Sequence, residues 1–142
     1  MKLIEQYRIV DKGYHPFLIR DGWQVAQLNY TPEQKIGNIE KLDIHHLTDE
    51  VFILLKGKAV LIGATIIGED VMFVAELIKP NVTYNIPADT WHNIAMRMDC
   101  EIIIVEKSNT HERDFEFFPL NEEKKKEMEI LVNRAFDENL SY

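Results

Sequence analysis

The chain has 142 residues, 46% hydrophobic and 28% charged, which is ordinary globular composition and enough for one domain with a sizeable core. A formal charge of −8 with no basic cluster argues against nucleic acid and anionic membrane surfaces as partners. The run Lys124-Lys125-Lys126 is flanked by Glu122, Glu123, Glu127 and Glu129 and reads as a solvated helix face. Cys100 is the only cysteine, so no intramolecular disulfide can form, in keeping with a reducing compartment. Met1 to Glu5 has no signal-peptide core and no run approaches membrane-spanning length, so the expectation is a soluble cytoplasmic protein.

Taken in order, the chain reads as strand after strand. Phe17–Arg20 and Trp23–Tyr30 flank Asp21-Gly22, a hairpin turn. Thr31-Pro32-Glu33 breaks the second strand. Ile36 to His45 reads as the next extended segment, followed by Val51–Leu55 and Ala59–Ala64 around Lys56-Gly57-Lys58. Gly68-Glu69-Asp70 turns into Val71–Ile78, and Lys79-Pro80-Asn81 turns into Val82–Ile86. Trp91–Met98 and Cys100–Lys107 complete the series. Short strands at this spacing with no helical period between them signify an all-β sandwich or barrel, from about residue 17 to 107. Only at the end does the period change. From about 121 to 137, Met128, Leu131, Val132, Ala135 and Phe136 share one face of an amphipathic helix, which packs on the barrel or on a partner subunit. No repeat or linker divides the chain, so residues 1–142 are expected to form one domain.

The chemistry is concentrated in His45-His46-Leu47-Thr48-Asp49-Glu50, which runs straight into Val51-Phe52-Ile53-Leu54-Leu55. Two imidazoles and a carboxylate suit a first-row transition metal and leave coordination positions open. A carboxylate leading a fully apolar strand is expensive to bury unless something cationic or hydrogen-bonding meets it. His92, in Ile86-Pro87-Ala88-Asp89-Thr90-Trp91-His92, is the expected further ligand.

These stretches resemble the two sequence motifs of the cupin superfamily, small jelly-roll β-barrels. His45, four intervening residues, Glu50, six more and then Gly57 are similar to the first motif, in which a His-x-His pair precedes the Glu. Asn81-x5-Pro87-x-Asp89-x2-His92 is similar to the second, with Asn81 and Asp89 standing where glycines are usual. Both are residue types that visit positive φ readily, so the turns can survive. The first position of the His-x-His pair is Asp43 if His45 is the second, or Ile44 if His46 is. The Asn that often follows the second motif's His by four positions is Met96 here.

Side-chain parity separates the alternatives. On a strand ending at His45, Asp43 and His45 share a face, and the spacing to Glu50 favours His45 over His46. The expected metal set is therefore His45, Glu50 and His92, with His46 as the alternative to His45 and Asp43 as a fourth candidate. Ile94 and Met96 follow His92 on one face, and with Tyr84 and Trp91 they are the expected pocket lining.

The resemblance implies a metal-binding cupin that acts on or binds a small polar metabolite, as a metal-dependent oxygenase or isomerase with Fe, Mn, Ni or Zn. The alternative is a non-catalytic module for a sugar or other small molecule, or a metal-free cupin epimerase or isomerase with a histidine base. Barrel edges invite pairing, and the resemblance implies a homodimer.

Overall fold

The computed structural model describes residues 2–138. Its strands in chain order are β1 (Gly13–Arg20), β2 (Trp23–Asn29), β3 (Lys41–Ile44), β4 (Glu50–Lys56), β5 (Ala59–Ile67), β6 (Asp70–Leu77), β7 (Thr83–Ile86), β8 (Trp91–Met96), β9 (Glu101–Glu106) and β10 (Glu116–Pro119). They form two five-stranded sheets, in the orders β1-β2-β9-β4-β7 and β10-β3-β8-β5-β6, and the paired strands run antiparallel. The sheets face each other over a core that includes Leu28, Phe52, Leu54, Leu61, Ile94, Met96, Ile102 and Ile104. Period-two alternation explains who is inside: Phe52 and Leu54 on β4, and Ile94 and Met96 on β8, are buried two residues apart.

Helix α2 (Glu122–Phe136) is capped by Asn121, whose side chain accepts from Lys124 N at 2.8 Å. It lays Met128, Val132 and Phe136 on the outer face of the second sheet, against Leu42, Val60, Ile62, Val71 and Ala95. Burying each of those three side chains is worth about 1.5–3 kcal/mol. The second sheet is thus covered on both faces, which is why Val60, Leu61 and Ile62 read as an unbroken apolar run. The lysine run is less solvated than its composition suggests, since Lys124 pairs with Asp70 at 2.8 Å and Lys125 with Glu40 at 3.6 Å.

Three segments depart from the sequence-based expectation. β1 begins at Gly13 rather than Phe17, with a register shift between Pro16 and Leu18. As an edge strand it tolerates a proline that has no N–H to donate. Residues 36–38 form a 3-10 turn instead of extended chain, because Ile39 N bonds back to Ile36 O and the Asn38 amide to Pro32 O. The barrel also continues past Lys107: α1 (Thr110–Arg113) leads into β10, which pairs with β3 through Glu116↔Ile44 to Pro119↔Lys41.

The turns behave as residue chemistry dictates. Asn81 and Asp89 have φ of 67° and 64°, the left-handed conformation those two side chains tolerate best. Cys100 is fully buried, and burial, followed by the charge of Glu101, pushes its thiol up to about 12; an inert thiol results. Among the described residues no helix is long and apolar enough to cross a membrane.

Candidate metal centre

Glu50 opens β4 and sits in register with Glu106 of β9 on one side and Ile86 of β7 on the other. His92 is the second residue of β8, paired with Asp43 of β3. His45 follows β3 directly. The two sheets therefore bring three side chains together at the end of the barrel where β4 and β8 begin. His45 Nε2 lies 2.9 Å from Glu50 Oε2, and His92 Nε2 lies 3.3 Å from Glu50 Oε1. One ligand atom from each of the three residues falls within 4.8 Å of the others, and Asp43 stands outside this group.

The hydrogen bonds behind the rings decide what the group can hold. His45 Nδ1 faces the Asp114 carbonyl at 2.6 Å and His92 Nδ1 faces the Thr90 carbonyl at 2.9 Å. A carbonyl only accepts, so each Nδ1 carries the proton and each neutral ring turns a bare Nε2 lone pair toward Glu50. Lone pairs facing a carboxylate repel unless a cation, proton or metal, lies between them. The donor set of two oriented imidazoles and one carboxylate fits a divalent transition metal.

Without a metal, a proton answers the same need. Burial disfavours the His45 cation, but the hydrogen bond and charge of Glu50 outweigh it and push the ring up to about 9. Glu50 is almost fully buried, which alone would raise its carboxyl. Hydrogen bonds from His45 and His92 instead hold it far below the usual carboxylate range. Glu106, in register beside it, moves the other way, to about 8, through burial and the negative charge of Glu50.

The site opens into a cavity of about 220 Å³ whose lining includes Tyr14, Asp43, Ile94, Glu106 and His111 besides the three residues above. Tyr14 donates to Glu106 Oε1 at 2.6 Å, and Gln24 donates to the same oxygen at 3.0 Å. The buried Gln24 also accepts from Asn109 N at 2.8 Å, tethering the segment that carries His111, itself part of the cavity lining. Gln34 donates to Ile94 O at 2.7 Å and holds a 3-10 turn against the same wall.

The other residues singled out in the sequence fall elsewhere. His46 points away, half-exposed, and bridges Asp89 Oδ1 at 2.6 Å and the Glu116 carboxylate. Ile94 lines the cavity, whereas Met96 is 1% exposed in the inter-sheet core. Trp91 lies on the opposite face from His92, because neighbouring strand residues alternate, and packs on Phe118 at 5.8 Å between ring centres. Tyr84 packs on the inter-sheet core at β7 and takes the Lys79 N–H on its hydroxyl. Four residues of the site were not anticipated: Tyr14, Gln24, Glu106 and Asp114. Glu106 alone had a signal, since it closes the run Ile102-Ile103-Ile104-Val105 as Glu50 opens its own.

Two facing five-stranded antiparallel sheets with this group at one end form a jelly-roll β-barrel. No sequence-family description matches the chain, and no curated protein matches it in sequence. Solved structures do. BH2720 from Bacillus halodurans superposes with a TM-score of 0.55 at 18% identity, over 72% of this chain and 75% of that one. The capsular polysaccharide assembling protein CapF of Staphylococcus aureus gives 0.54 at 19%, over 80% of this chain but only 32% of CapF. Hydroquinone 1,2-dioxygenase from a Sphingomonas species, with 4-hydroxybenzoate bound, gives 0.51 at 5%, over 70% of this chain and 68% of that one. At such identities the likeness is one of fold.

Proposed function

We propose that the chain holds a divalent transition metal through His45, Glu50 and His92 and binds, or acts on, a small polar molecule in the adjoining cavity. The observation that carries this reading is the pair of Nε2 lone pairs converging on one buried carboxylate, each ring locked by an Nδ1–H bond to a backbone carbonyl. Iron, manganese, nickel and zinc all accept this donor set. Bound there with open positions, the metal would polarise a ligand oxygen or acidify a water. The protein's own part is to orient both rings, to exclude solvent with Phe52 and Ile94, and to keep Glu50 ionised. The dioxygenase and capsular-polysaccharide neighbours support small-molecule chemistry of either an oxidative or a carbohydrate kind.

A metal-free cupin is the second reading, favoured by one observation: a protonated His45 at 2.9 Å satisfies Glu50 by itself. Elemental analysis of tag-free protein separates the two. One metal per chain, lost in His92→Ala, supports the first; no metal in wild type after growth with all four metals supplied leaves the second. A homodimer is part of the proposal, since β1 and β6 are edge strands and Met72 and Val74 on β6 are exposed. A light-scattering mass of one chain would count against it.

A further inference from the structure

The lining of the cavity holds a third imidazole, set the opposite way round from His45 and His92. His111 lies on α1, lines the cavity, and packs on Tyr14 at 5.9 Å between ring centres. The fully buried Gln24 fixes its tautomer. The Asn109 N–H only donates, so the Gln24 oxygen faces it at 2.8 Å and the amide nitrogen is turned the other way. That nitrogen lies 3.2 Å from His111 Nδ1, 3.0 Å from Glu106 Oε1 and 3.1 Å from the Tyr14 hydroxyl. An amide nitrogen donates and does not accept, so His111 Nδ1 stays bare and Nε2 carries the proton. The segment is held from both ends. Thr110 Oγ1 donates to Lys107 O at 2.7 Å, and Asp114, whose N–H returns to Thr110 O at 3.1 Å, is itself bonded to His46 and Leu47.

Around the cavity, Tyr14 gives its hydroxyl proton to Glu106, and His45 and His92 give their Nδ1 protons to backbone carbonyls. The His111 ring bonds only through Nδ1 among the described residues, which leaves its Nε2–H without an acceptor. We propose that His111 recognises the ligand of this cavity: its Nε2–H donates to one oxygen of a small hydroxy-carbonyl compound, whose other oxygen takes an open position on the metal. Metal and N–H each ask for an oxygen lone pair, and two oxygens on neighbouring carbons supply both. No lysine or arginine among the described residues lines the cavity to meet a carboxylate, so both oxygens belong to uncharged groups. Leu28, Phe52, Ile94 and Ile104 cover the carbon skeleton. At about 220 Å³ the cavity is smaller than the roughly 300–1,000 Å³ of sites for drug-sized ligands, so a molecule of a few heavy atoms that fills it meets both. This deepens the reading of the site given above and rests on it for the metal contact; the contact with His111 does not depend on which metal is bound.

The test reads the ring itself, by proton–nitrogen correlation spectra of full-length protein labelled at the histidine nitrogens. His111 should appear as the Nε2–H tautomer in zinc-loaded and in chelator-treated protein, its signal assigned by its loss in His111→Phe. A proton on Nδ1 would overturn the proposal. Hydroxyacetone titrated into zinc-loaded protein should shift the Nε2–H signal and bind more tightly than acetone or 1-propanol, each of which lacks one of the two oxygens. His111→Phe keeps the ring and removes the N–H, and should lower hydroxyacetone affinity about three- to tenfold, the worth of one neutral hydrogen bond. His111→Gln, whose amide carries an N–H to nearly the same place, should restore most of it. Failure of hydroxyacetone to bind, an unmoved Nε2–H signal, or equal affinity in wild type and His111→Phe would overturn the proposal. Unchanged signals from the other four histidines show that both variants fold. Zinc content is read on the same samples. Wild type that takes up no zinc would sink the metal-binding reading, and the response of the Nε2–H signal to hydroxyacetone in that protein still decides the role of His111.

Discussion

The backbone carbonyl of Asp114 accepts the Nδ1 proton of His45 at 2.6 Å, joining residues 69 apart in the chain. The Asp114 carboxylate takes the backbone N–H of His46 at 2.8 Å and of Leu47 at 2.9 Å. Those bonds pull its carboxyl below the ordinary range in spite of burial, which acts against them. One residue between α1 and β10 thus sets both the tautomer of a candidate ligand and the course of the loop that carries it.

Asp114→Ala should therefore act on the metal site from a distance. It removes the two loop contacts but keeps the carbonyl, so His45 stays present with a poorly fixed ring. Metal affinity should fall by about 10–100-fold, the usual cost of losing such an orienting partner, while the circular dichroism spectrum is unchanged. Competition with a chromophoric chelator measures it.

Among the histidines the order of effects is sharp. His45→Ala and His92→Ala should each abolish metal retention and leave the barrel folded, and His46→Ala should alter metal content little, since its ring is turned to Asp89 and Glu116. Metal-to-nitrogen and metal-to-oxygen distances of about 2.0–2.2 Å are expected by X-ray absorption. Metal lost from His46→Ala and kept in His45→Ala would move the site by one residue.

The pH dependence of the metal-free protein follows from the shifted groups. His45 moves from 6.5 to about 9, so its stabilisation is complete below pH 6.5 and is lost as the pH rises toward 9. Glu106 moves from 4.5 to about 8, and between those values the folded form again holds the extra proton. Glu50, lowered instead, contributes above its ordinary value and loses its contribution only in acid. In the presence of chelator the melting temperature should be highest near about pH 5 and decline toward pH 9. Glu106→Gln should flatten that decline below pH 8; a melting temperature that climbed across this range would contradict the assignment.

Gly57, in the turn after β4, has φ +84°, and a Cβ there would stand 2.8 Å from Cys100 Cα. Gly57→Ala should cost about 2 kcal/mol or more, from positive φ together with the backbone contact. Asn81 already holds φ 67° at an exposed turn, so Asn81→Gly should stay within about 1 kcal/mol of wild type. Urea denaturation midpoints of the two variants test this contrast.

Much of this was visible in the chain itself. Parity along one strand put Asp43 and His45 on a common face, and an apolar run behind Glu50 made its carboxylate one that needed a partner. Asn81 and Asp89 marked turns because few side chains accept positive φ. The helical period located α2, and its start and end agree with the observed Glu122–Phe136. These are local properties, set by backbone geometry within a few residues. Tertiary structure alone decided the rest. Tyr14, Gln24 and Glu106 meet through the register of β1, β2 and β9, 10 to 92 residues apart. Trp91, next to His92, turned out to pack outside the barrel on Phe118, because β10 adds to β3 there and gives the ring a place to bury. A short strand ending in proline carries almost no signal of its own. Which sheet edge it joins depends on the packing free energy of the whole barrel, and so does the placement of the Asp114 carbonyl behind His45.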